Sequence, residues 1–375
     1  MKFGLIYEIC RPDPEWATEA ETYWQALEQC VLAEEVGFDH VWAVEHHFLE
    51  NYSLSSAPDV FLSAVAQRTN TIRIGHGVRL LPPPFNHPAR SASSAAVLDI
   101  LSRGRLEFGV GRSITEQELG GFGIDPTLSR PMLEEVLPEI VKMWTNHTYP
   151  GREGRHFSMP PRVVQPKPVQ DPHPPLWMAC TQPTSFEIAA DFGVGALAFG
   201  LGLPGDLGEA VRVYKSGIEN PAKQAGEFVN DNIAAAGFMF TATSDEKARE
   251  VGGACQLWYA ANAAALFAPW VMQEVPGYEY YHQLAKDAAT FDHERIQQRL
   301  DEGMSLLGTP EKVAAGVQKY ADLGVDQVIC IVQVGRITHD DICESLRLFG
   351  KEVIPQFRSD AGGNTAPPAL PPKPR

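Results

Sequence analysis

GTPEKVAAGVQKYADLGVDQVIC, residues 308–330, holds one full period of the pattern that decides the fold. Thr309-Pro310-Glu311 reads as a helix start, because a capping hydroxyl is followed by a proline at the first helical position, where the missing N–H is not needed. An amphipathic stretch follows, and the chain then passes into the β-branched apolar run 327–332. Working outward, similar apolar runs stand at 2–7, 40–44, 72–75, 106–109, 176–179, 196–199 and 233–241, each followed by a helix candidate. Thr243-Ser244-Asp245-Glu246 supplies a second capped start behind the seventh run. Strands that alternate with helices are parallel and joined by crossovers, and eight such units predict an α/β fold, a (β/α)8 TIM barrel forming one domain over residues 1–357.

Two segments break the rhythm and are read as insertions at the functional end of the barrel. The first, 149–175, is rich in Pro and Gly and predicts a short hairpin near 157–165. The second, 268–303, contains Pro-Gly and the tyrosines Tyr278, Tyr280 and Tyr281; it is long for a plain connection and is a candidate active-site lid. The Pro-rich tail 358–375 has too little apolar content to pack and is expected to be disordered.

Composition narrows the function. A chain of 375 residues that is 44% hydrophobic can bury a large core, while its net charge of −16 argues against a nucleic-acid partner, which needs clustered Lys and Arg. Cysteines at 10, 30, 180, 255, 330 and 343 form no CxxC pair and no short disulfide framework, which fits a cytoplasmic protein. The N-terminal MKFGLIYEIC carries Glu8 inside its only apolar run, and the apolar stretch 257–272 is too short for a bilayer, so no membrane anchor is expected.

In a barrel enzyme the working residues sit at the C-terminal ends of the strands. The second strand ends on Glu45-His46-His47, which puts an imidazole, with an ordinary pKa of about 6.5, at the barrel mouth. It is a catalytic or ligand-contacting group, or else a packed structural histidine. A metal is not expected, since adjacent histidines diverge and no HxxxH or HExxH spacing occurs. The fourth strand ends on Phe108-Gly109-Val110-Gly111-Arg112-Ser113, where glycines admit a ligand to the backbone and Arg112 offers a donor fork for phosphate, or a structural ion pair. Cys180-Thr181-Gln182-Pro183 after the fifth strand gives a hydroxyl and backbone N–H groups ahead of a helix, a natural anion cradle. Gly200-Leu201-Gly202-Leu203-Pro204-Gly205 satisfies a dinucleotide pattern but contains a proline and lacks a following acidic residue, so it is read as a barrel loop.

AVEHHF (43–48), LLPPPFNHPAR (80–90), LDILSRGRLEFGVGRS (98–113) and the opening stretch together resemble, in order and spacing, the luciferase-like flavin monooxygenases over roughly residues 1–357. The resemblance implies that His46, with Glu45 beside it, is the catalytic imidazole near the flavin, and that Arg112 binds the phosphate of FMN. Gly111, Cys180, Thr181, Phe199 and Gly200 would complete the cofactor wall. His76, Gly77 and Val78 would lie beneath the ring, with the Gly77–Val78 peptide cis. It further implies an oxidoreductase that takes FMNH2 from a separate flavin reductase and inserts one oxygen atom of O2 into a small organic substrate through a flavin hydroperoxide. Assembly as a homo-oligomer, a dimer, is expected. Bacterial luciferases carry a reactive Cys where this chain has Gly111, and Glu-Ser where it has Cys180-Thr181, so light emission is not expected. Trp258, Tyr259, Phe267, Trp270 and Tyr281 are candidates for an apolar substrate pocket. Two rival readings share the barrel: a deazaflavin-dependent hydride-transfer enzyme and a non-catalytic flavin-binding protein.

Overall fold

The computed structural model describes residues 1–199, 204–271, 275–288 and 305–358. Eight strands, β1 (Lys2–Tyr7), β2 (His40–Ala43), β3 (Arg73–His76), β4 (Leu106–Gly111), β5 (Leu176–Cys180), β6 (Gly195–Ala198), β7 (Ile233–Thr241) and β8 (Gln327–Ile331), each pair in parallel with the next. β8 then pairs with β1, from Lys2 against Gln327 to Ile6 against Ile331, and closes the barrel. β2 and β8 are buried at every position, as strands covered on both faces must be, which is why they read as continuous apolar runs rather than alternating ones. The expected helix starts form: Ser244 accepts from Lys247 N, and Pro310 is the first helical residue after Thr309, although the Thr309 hydroxyl makes no capping hydrogen bond.

The N-terminal half of the barrel is filled, so a ligand can enter only from the other end. Trp42 and Trp177 meet edge to face with centroids 5.5 Å apart. Glycines make room for them: a Cβ on Gly75 would lie 2.2 Å from the Trp42 ring and one on Gly195 2.4 Å from the Trp177 ring. Beneath them the buried Glu107 accepts the Trp177 indole N–H at 2.7 Å and pairs with Arg73 and His40.

Both irregular segments differ in detail from their sequence reading. The hairpin pairs Arg152–Glu153 with Ser158–Met159, earlier than the expected 157–165. The Glu135 carboxylate fixes the turn by accepting His156 N and Phe157 N, a long-range contact that local composition does not show. The second segment starts inside a helix, Ala254–Val271, which continues through Ala268 despite Pro269; a further helix, Glu279–Ala288, packs on it. Residues 272–274 and 289–303 of that segment, and the tail from 359 onward, lie outside the described residues. Among the described residues no helix is long and apolar enough to cross a membrane.

Candidate active site

The C-terminal strand ends surround a cavity of about 220 Å³. Glu45, His46, Gly77, Val78, Gly111, Arg112, Thr181 and Phe199 all line it, each within three residues of the end of its strand. Two expected residues turn away. The His76 imidazole is fully buried and points at Asp59, with Nε2 and Oδ1 2.8 Å apart, and His76 does not line the cavity. Cys180 directs its thiol at the carbonyls of Met178 and Ser185, both at 3.4 Å, and burial pushes its pKa well up. Gly200 lies outside the described residues. The Gly77–Val78 peptide is cis, the bond singled out by the resemblance. A Cβ on Gly111 would come 2.3 Å from Val78 Cγ2, so the cysteine of bacterial luciferases has no room unless Val78 moves.

On the β4–β5 side the cavity is built for an anion. Arg112 donates to Ser129 Oγ at 2.9 Å and Gly277 O at 3.3 Å, and its guanidinium lies 4.5 Å from the Tyr278 ring. Arg130 stands on the same wall; burial and the neighbouring Arg112 both lower its pKa. Among the described residues neither guanidinium forms an ion pair within 4 Å of a carboxylate, and Glu134 on the same wall is the acidic group that acts on Arg130, so two half-buried cations stand against one carboxylate, an arrangement that favours a bound anion. Beside them are the Thr181 hydroxyl, which contacts the Tyr281 hydroxyl, and the start of the helix Pro183–Asp191, whose N-terminal dipole adds to the positive field. This donor set fits a phosphate monoester.

On the β1–β2 side the cavity carries a proton-handling group. His46 Nδ1 is 3.0 Å from Glu118 Oε1, and Nε2 is 3.5 Å from Glu8 Oε2. Burial alone would lower the imidazole, but the carboxylates of Glu118 and then Glu8 outweigh it and raise its pKa to about 9. That differs from the ordinary value assumed from sequence: at neutral pH His46 is an imidazolium. Glu118 is fully buried and still held below the usual carboxylate range; burial raises it, and His46, with the Thr115 and Ser113 hydroxyls, more than offsets the rise. Glu45 reaches the cavity wall, but its oxygens are committed to Leu80 N at 2.9 Å, Asn86 Nδ2 at 2.8 Å and His47 Nε2 at 3.3 Å. It braces the 80–86 loop, and the carboxylates on His46 are Glu118 and Glu8 instead. His47 turns away into a nest of Phe48, Phe85 and Phe122.

Sequence reasoning missed Glu8, Glu118 and Arg130. Glu8 had a signal, a charge at the end of an apolar strand. Thr115 and Glu118 have the spacing of a capping box, and Thr115 does cap that helix, but nothing local says that the glutamate turns back to His46. Of the aromatic candidates Tyr259 and Tyr281 line the cavity, Trp258 does not, and the side chains of Phe267 and Trp270 lie outside the described residues.

A cationic wall of Arg112 and Arg130 and a carboxylate-held imidazole share one strand-end cavity, an arrangement suited to a phosphorylated ligand next to a proton-handling group. The chain belongs to the luciferase-like monooxygenase family, whose model matches residues 1–327, and is a flavin-dependent monooxygenase. It is 24% identical over 359 residues to the oxygenase component of a flavin-dependent trigonelline monooxygenase of Acinetobacter baylyi, covering 95% of this chain and 96% of that one. Among solved structures it shares its fold with the oxygenating constituent of 3,6-diketocamphane monooxygenase from Pseudomonas putida in complex with FMN (TM-score 0.75, 20% identity, 95% and 98% covered). It shares it about as well with an F420-dependent secondary alcohol dehydrogenase (TM-score 0.73, 18% identity, 96% and 99% covered).

Proposed function

We propose that the chain is the oxygenase of a two-component system: it takes FMN reduced by a separate flavin reductase and inserts one atom of O2 into a small, largely apolar organic substrate, working in the cytoplasm as a homodimer. The observation that carries this reading is the Arg112–Arg130 pair beside Thr181, whose two charges exceed that of the one neighbouring carboxylate, Glu134. These groups would hold the FMN phosphate, and the backbone of Gly77, Val78 and Gly111 would flank the ring. Reduced flavin, when bound, supplies the electrons that activate oxygen. The protein's own residues bind, shield and deliver a proton. Val44, Leu80, Ile114, Phe238 and Leu266 give the cavity apolar walls that limit water. His46, charged at neutral pH and held at Nδ1 by Glu118, presents the N–H of Nε2 as the general acid.

Since the fold fits FMN-bound and F420-dependent proteins about equally, the cofactor itself is the test. The purified protein is titrated anaerobically with FMN, FMNH2 and reduced deazaflavin, then exposed to 18O2 with candidate substrates. Preferential FMNH2 binding and one labelled oxygen atom in the product are expected. Hydride transfer from the deazaflavin without oxygen would replace the reading, and flavin binding without turnover would leave a binding protein.

A further inference from the structure

Two carboxylates hold His46, and their hydrogen bonding is unequal. Glu118 is saturated: Oε1 accepts from His46 Nδ1 and His47 N, and Oε2 from the hydroxyls of Ser113 and Thr115. Glu8 is 7% exposed and half-satisfied. Its Oε1 accepts the Tyr259 hydroxyl at 3.0 Å, Tyr259 in turn receiving that of Tyr52 at 2.5 Å. Among the described residues its Oε2 has no hydrogen-bond partner, and it stands 3.5 Å from His46 Nε2. A buried carboxylate oxygen left without a donor is costly, and here the nearest donor is the imidazolium N–H.

We infer that Glu8 is the proton-accepting partner of His46, a positioning residue that stores the proton which the imidazole presents to the cavity. In the exchange the N–H bond at Nε2 breaks and an O–H bond forms at Glu8 Oε2. Imidazolium and carboxylate become imidazole and carboxylic acid, and the net charge of the site does not change. Glu118 cannot take this role, because four donors hold it ionised and fix the other proton at Nδ1. Burial raises the proton affinity of Glu8, and the opposing influence of His46 and the Tyr259 hydroxyl does not cancel the rise, which narrows the gap between the two sites. The other groups facing His46 are Glu45 from its own loop, itself near Arg79, and the Tyr52 ring, whose centroid is 6.0 Å away. This inference rests on the reading of His46 as the proton donor.

The test is 15N-histidine NMR of the flavin-free protein, from pH 5 to 10, in wild type, Glu8→Gln and Tyr259→Phe, with His46→Gln to assign the signal. Wild-type His46 should titrate near 9 with Nδ1 protonated throughout. Glu8→Gln should lower that value by about one unit or more, since one of its two counter-charges is gone. Tyr259→Phe keeps the carboxylate and should shift it by less than half as much. An unchanged titration in Glu8→Gln, or an equal shift in Tyr259→Phe, would overturn the inference and leave Glu8 as a tie between β1 and the helix Ala254–Val271. If Glu8→Gln fails to fold, Glu8→Asp replaces it: an intermediate shift supports the inference and none overturns it. A shifted titration with wild-type coupling of FMNH2 oxidation to product in Glu8→Gln would overturn Glu8 as the proton store, whereas wild-type coupling in His46→Gln would overturn the role given to His46.

Discussion

His46 takes its protonation state from residues far from it in sequence, and the consequence can be measured without any substrate. Its folded-state pKa, about 9, lies above the ordinary 6.5. Stability from the ion pairs is therefore complete below about pH 6.5 and is lost as pH rises through about 9. The urea-midpoint difference between wild type and His46→Gln should be largest at the acidic end of that window and shrink across it; a difference that grows with pH would contradict the assignment. For chemistry, His46→Ala should still bind FMN but lose roughly 100-fold in product formation, with hydrogen peroxide released instead. His47→Ala loosens the Phe48, Phe85 and Phe122 nest and should keep its coupling. The reverse pattern in the two variants would exchange their roles. Arg112→Ala removes a charge-assisted contact and should weaken FMNH2 binding by roughly 1.5 to 3 kcal/mol, about one to two decades in Kd. A wild-type Kd in that variant would move the phosphate elsewhere.

At the scale of elements, β4 leaves no room for a side chain at Gly109, where it passes the end of β3. A Cβ on Gly109 would lie 2.1 Å from the carbonyl oxygen of His76 and 2.9 Å from Leu197 Cδ1. The first obstacle is backbone within the closed sheet and cannot rotate away, so Gly109→Ala should cost about 1 to 3 kcal/mol, the usual range for overpacking. Urea unfolding that shows no loss would mean the strands separate more easily than the closed register suggests. The same sheet explains what sequence could foretell. β1 and β7 were found to the residue, and the other six strands to within two, because burial on both faces leaves a continuous apolar run that tertiary context cannot disguise. The hairpin was misplaced because Glu135, far off in sequence, fixes its turn, and the helix Ala254–Val271 was cut short at 268 because a proline inside an apolar helix reads as a boundary.

Over the whole molecule, position along the strands foretold the site better than chemistry did. Arg112 and Thr181 could be read from sequence because a barrel brings every strand end to one rim, and Gly77 entered through the family resemblance, whereas the carboxylates on His46 depend on how Glu8 and Glu118 turn in space. The outside of the barrel is equally hard to read from sequence, and it bears on the expected dimer. Val60, 71% exposed, is the most exposed large hydrophobic side chain among the described residues, and Val97, Ile100 and Leu101 are 40 to 43% exposed. They stand on two helices that pack together, Pro58–Arg68 and Pro88–Ser102, where Gln67 Nε2 donates to Leu101 O at 3.1 Å. Single exposed aliphatic residues are common, but four on adjacent helices suit a self-complementary contact across a two-fold axis. Two copies that each carry a net charge of −16 repel, so the apolar contact must outweigh that repulsion, and added salt should strengthen the dimer by screening it. Sedimentation equilibrium should therefore show a wild-type dimer that tightens from low to moderate salt, and a folded monomer for the double variant Val60→Glu, Ile100→Glu. Because Arg112 and His46 line a cavity within one chain, that monomer should bind FMN with the wild-type Kd. A wild-type monomer at all salt concentrations, or a double variant that stays dimeric, would rule out these two helices as the meeting face.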